Sequence, residues 1–68
     1  MSVARITEVK SSSKISFDDA IKEGLKKTAM TINNLKAAWV GDHEVLVDNK
    51  GNITEYRVLL KVTFIVND

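Results

Sequence analysis

The run Trp39-Val40-Gly41-Asp42-His43-Glu44 holds the chain's single tryptophan, its single histidine and two carboxylates. An indole stacks on planar ligands. Carboxylates supply oxygens to a hard cation such as calcium, which takes six to eight of them. An imidazole can carry a proton near neutral pH. Spacing separates these chemistries. On a strand, successive side chains alternate, so Asp42 and Glu44 share one side and His43 takes the other. The three therefore do not converge on one ion within one chain. Asp42 and Glu44 are weak metal candidates that need oxygens from a neighbouring subunit or water, and the plainer reading is a solvated strand end beside a hairpin. His43 has no sequence-apparent nucleophile to activate, which favours a surface or interface role. The turn Asp48-Asn49-Lys50-Gly51-Asn52 lacks the spacing and terminal Glu of an EF-hand loop. With no glycine-rich phosphate loop, nucleophile elbow or zinc pattern, an enzyme is the weakest class.

The elements that position this run follow from periodicity. Val3 to Lys10 reads as a first strand and Ser11 to Ser16 as a polar linker. Ser16 caps a helix, with Asp19 at the third helical position as a capping-box variant and Asp18 and Asp19 favoured by the helix dipole. Phe17, Ala20, Ile21, Gly24, Leu25, Thr28, Ile32 and Leu35 recur at helical spacing and form one apolar or small stripe. Lys22, Glu23, Lys26 and Lys27 fall outside it as a solvated face. Gly24 costs about 1 kcal/mol relative to Ala in a helix interior, which suggests close approach of a strand. Asn33 and Asn34 suit the left-handed conformation that ends a helix. Strands at Lys36 to Val47 and Ile53 to Val66 then flank a glycine-containing hairpin turn. The last strand alternates: Tyr56, Val58, Leu60, Val62, Phe64 and Val66 on one face, Glu55, Arg57, Leu59, Lys61, Thr63 and Ile65 on the other. The expected fold is α+β, a β-α-β-β chain whose antiparallel three-stranded sheet has the order β1-β3-β2 and packs one long helix on one face.

Composition limits what such a domain can do. Its 68 residues make one small domain, residues 1–68, that buries only about 60% of its unfolded surface. Without cysteine it has no disulfide or thiolate metal site, and one histidine argues against a His-rich zinc site. Oligomerisation is the remaining support. A net charge of +1 creates no field toward nucleic acid or membrane, and few aromatics argue further against a nucleic-acid module. No apolar run approaches the roughly 18 residues of a membrane span, and the N-terminus lacks a signal peptide's apolar core, so a cytoplasmic protein is expected.

One helix covers one sheet face only. Uninterrupted alternation along the middle strand puts Ala37, Trp39, Gly41, His43, Val45 and Val47 together on the uncovered face, beside Arg57, Leu59 and Ile65. Such an apolar surface marks assembly or binding. The expectation is a homo-oligomer with Trp39, Val45, Val47, Leu59 and Ile65 at or near subunit junctions.

Nearly the whole chain resembles the dodecin family. The resemblance lies in SFDDAIKEGLKKTAMTINNL as the helix, then WVGDHEVLVDNKGNITEYRVLLKVTF, with the ending Tyr-Arg-Val-x-Leu-Lys-Val-Thr-Phe closest to the family pattern. It implies a hollow homododecamer that binds or stores small molecules, in many members flavins stacked against tryptophan, without catalysis. Counted from Asn34, the family's stacking position falls on Ala37, with Trp39 two residues further along the same face. The family's flavin-bonding glutamine falls on Arg57, and Asp42 matches a common acidic position. Both signature ligand residues thus differ. The resemblance is closer to a branch that lacks the stacking tryptophan and to which calcium binding is attributed. The first reading is a small-ligand shell with an altered flavin site. The others are a flavin shell for riboflavin or FMN, with Trp39 as stacking platform and Arg57 and His43 nearby, and a structural or calcium-binding shell without organic ligand.

Overall fold

The computed structural model describes residues 3–66. Strand β1 (Val3–Ser13), helix α1 (Phe17–Thr31), strand β2 (Leu35–Val47) and strand β3 (Ile53–Val66) follow in that order. The sheet order is β1-β3-β2 with both pairings antiparallel, as expected from the sequence. β3 takes the centre because its alternation supplies the core: Val58, Leu60 and Val62 are buried under α1 together with Ala20.

β1 is longer than its hydrophobic pattern indicates. Ser11, Ser12 and Ser13 pair with Val58, Arg57 and Tyr56 and are strand, not linker. The small hydroxyl side chains of Ser11 and Ser13 fasten the helix. Ser11 Oγ donates to the Ala20 carbonyl at 2.7 Å, and Ser13 Oγ donates to Asp19 Oδ2 at 2.6 Å. Ser13 Oγ also accepts from the Ile15 N–H at 2.9 Å. Ser16 caps α1 by accepting from the Asp19 N–H at 3.0 Å. The carboxylate of Asp19 reaches Ser13, whereas a capping box would return it to the cap residue's own N–H. Gly24 explains the close seating of α1: a Cβ there would stand 2.7 Å from Ser11 Cβ and 3.1 Å from Leu60 Cδ1.

α1 is shorter than the stripe suggests. The Ile32 N–H donates to the Thr28 carbonyl from extended backbone, and Asn34 takes φ 64°. Leu35 is then a β2 residue that packs on the core beside Val62 and Ala38.

β2 is not a regular strand. Its register with β3 shifts between Leu35 and Ala37, between Val40 and His43, and between Leu46 and Val47. At the second shift Gly41 and Asp42 together oppose Leu59, which is a β-bulge, and a Cβ on Gly41 would stand 3.2 Å from the Leu59 carbonyl oxygen.

The β2–β3 turn closes on Asp48. Its Oδ1 accepts from the Lys50 and Asn52 N–H groups at 2.9 and 3.0 Å, and Gly51 supplies φ 86°. These bonds to Asn52, then Lys50, hold the Asp48 carboxyl below its ordinary 3.8. A depressed carboxyl stabilises the fold above its unfolded pKa, and that contribution fades as pH falls through the folded pKa. The turn is therefore expected to loosen only below about pH 3.8. The Lys50 and Asn52 amide shifts should titrate there, and Asp48→Asn should abolish that titration.

Candidate functional site

The bulge decides which side chains meet. Trp39 opposes Lys61 and Ala37 opposes Thr63, so both lie on the face away from α1. Trp39 is 70% exposed. Beyond the bulge the parity inverts: His43 opposes Val58 and Val45 opposes Tyr56, on the helix side. The His43 ring meets Phe17 edge-on at 4.7 Å between centroids, and Phe17 meets Tyr56 at 5.2 Å. His43 and Val45 therefore do not share the face of Trp39. Alternation without a bulge had placed them there, and the extra residue at Gly41-Asp42 turns them over. Glu44, opposite Arg57, and Leu46, opposite Glu55, take the places on the helix-free face. Val47 pairs with Ile53 past a further irregularity and is largely exposed. Leu59 and Ile65 remain on the helix-free face, opposite Lys10 and Ala4 of β1.

The helix-free face carries two clusters. One is Trp39 with Ala37, Lys61 and Thr63. The other is a half-open cleft of about 480 Å³ whose lining includes Lys10, Asp42, Glu44, Arg57 and Leu59. Lys61 and Arg57 stand four residues apart on β3, about 14 Å at roughly 3.4 Å per residue. Trp39 therefore has Lys61, not Arg57, as its direct neighbour on β3. Arg57 Nη2 lies 3.6 Å from Glu55 Oε2, a half-exposed ion pair worth about 0–1 kcal/mol.

Calcium fits one chain poorly. Asp42 and Glu44 line the same cleft, but so do the cationic Lys10 and Arg57. Among the described residues no three His, Cys, Asp or Glu side chains are grouped to hold a metal. Among the described residues no helix is long and apolar enough to cross a membrane.

Sequence reasoning missed the bulge, and with it Lys10 and Lys61. Gly41 was the available signal, because glycine inside a strand often marks a bulge.

A β-α-β-β chain with a sheet of this order packed on one helix defines a class of small α+β proteins. The dodecin family model matches residues 3–67. The calcium dodecin of Mycobacterium tuberculosis is 30% identical over 64 residues, covering 94% of this chain and 89% of the relative. The structure of that protein, described as calcium-chelating, superposes with a TM-score of 0.82 at 25% identity, covering 96% and 91% of the two chains. Dodecin from Streptomyces davaonensis superposes with a TM-score of 0.92 at 25% identity, covering 98% and 97%. The chain belongs to the dodecin family.

Proposed function

We propose that this chain is the subunit of a closed homo-oligomeric shell, a dodecamer as the resemblance implies, that binds and stores a small ligand without catalysis. Its flavin site is altered, with Ala37 and Arg57 where the family has Trp and Gln, and the ligand surface is built on Trp39.

The observation that carries this reading is how little of the subunit is inside. Its radius of gyration is 14.1 Å and its extents are 53 × 19 × 14 Å. A compact chain of this length has a radius of about 11 Å. Among the described residues four apolar ones are buried, while Trp39, Val47, Ile53 and Ile6 are exposed. A subunit this extended needs other copies to cover it.

Light scattering at micromolar concentration is expected to give a closed oligomer, and a folded monomer would overturn the assembly. Added riboflavin or FMN should quench the fluorescence of Trp39, the chain's only tryptophan. Trp39→Ala should abolish the flavin fluorescence change. An intact oligomer that leaves both flavins unaffected contradicts the Trp39 ligand surface. It would favour a second reading, a shell for calcium with Asp42 and Glu44 gathered from several copies. The 30% identity to a calcium dodecin supports that reading, and calorimetric calcium titration tests it.

A further inference from the structure

We propose that the Trp39 face selects planar aromatic ligands that carry negative charge, with Trp39 stacking on the ring and Lys61 holding the anionic group. This rests on the reading of Trp39 as a ligand surface and adds its chemical preference.

Three observations support it. First, Lys61 is the direct cross-strand partner of Trp39. Such partners have Cβ atoms about 4.5–5.5 Å apart on one face, so an extended lysine reaches the rim of a ring laid on the indole. Both side chains are exposed. Second, Lys61 forms no ion pair among the described residues. Glu8 opposes it from β1. That places Glu8 two strands from Trp39, about 9.5 Å away at roughly 4.8 Å per strand, so the nearest charge to the indole is positive. Third, the adjoining row of Ile6, Thr63 and Ala37 offers an apolar residue, a hydroxyl and a methyl. A ring extending from Trp39 over that row meets no further carboxylate. Glu44 and Asp42 lie on the other side of Gly41, in or beyond the bulge.

The cation sits beside the ring because of the tryptophan's position. An indole at Ala37 would have Thr63 as its partner, and at Trp39 it has Lys61. The two-residue displacement therefore changes the polar neighbour from a neutral hydroxyl to an ammonium.

The test uses the assembled full-length protein and Trp39 fluorescence as a local reporter. The probes are anthraquinone-2-sulfonate and anthraquinone-2-sulfonamide, which share a ring and differ in charge. At low salt the sulfonate is expected to quench with an apparent Kd about tenfold lower, the scale of one charge-assisted contact. Lys61→Gln should raise the sulfonate Kd to that of the sulfonamide and leave the sulfonamide unchanged, while Lys61→Arg should retain the preference. Ionic strength near 1 M should erase it in the unmutated protein, which keeps the test decisive if the glutamine variant fails to assemble. Equal affinities in the unmutated protein overturn this inference and spare the stacking role of Trp39. A preference that survives high salt does the same, as does a glutamine variant that weakens both probes alike. Absence of quenching by either probe overturns both.

Discussion

Replacing Leu60 with Ala is expected to cost about 2–5 kcal/mol, enough to remove most of the stability of a domain this small. Leu60 is fully buried at the middle of the central strand. It is flanked by Val9 on β1 and Val40 on β2. The Gly24 position packs close above it, where an added Cβ would lie 3.1 Å from Leu60 Cδ1. The cavity left by truncation cannot collapse easily, because both neighbouring strands hold the backbone of β3 in place. Among the described residues only Ala20, Val58 and Val62 share the fully buried core with it, so no second core there compensates. Urea denaturation at fixed protein concentration should show the loss as an earlier midpoint with a similar slope. A cost below about 1 kcal/mol would mean that the core closes around the missing side chain and that the neighbouring strands do not hold the cavity open.

The core was legible in the sequence because it depends on simple periodicity. Alternation along Tyr56 to Val66 identified the central strand and its buried face, and hence the sheet order. Ser16 and Asp19 marked the start of the helix, and Asn34 supplied the left-handed turn after it. The serines after Lys10 were not legible as strand. Polar side chains resemble a linker, and only contact with the helix shows that Ser11 and Ser13 bond Ala20 and Asp19. The site was legible only as far as Val40. Trp39 can be placed by counting, but every residue after Gly41 depends on whether the strand bulges. Partners across strands, such as Lys61 for Trp39, follow from register, which composition does not fix.

Register also makes Asp42 an informative position. Gly41 and Asp42 together oppose Leu59, so removing Asp42 leaves one residue opposite one. Val40 keeps its partner Leu60, His43 keeps Val58 and Glu44 keeps Arg57. The strand then alternates without interruption, and Trp39 and His43 stay on the opposite faces they occupy now. Deleting Asp42 is therefore expected to keep a cooperative fold, with Trp39 on the helix-free face and His43 beside Phe17. What it removes is the local kink and extra twist of the bulge, together with one carboxylate of the cleft. Gly41→Ala is the comparison: it keeps the bulge and brings one methyl to 3.2 Å from the Leu59 carbonyl oxygen, a tight contact against backbone that the sheet holds in place. Circular dichroism melts should show a cooperative transition for the deletion and a lowered one for Gly41→Ala, and Trp39 emission should be unchanged in the deletion variant. A deletion variant that loses its cooperative transition, or whose Trp39 emission shifts to that of a buried indole, would show that β2 needs the bulge to keep its two faces.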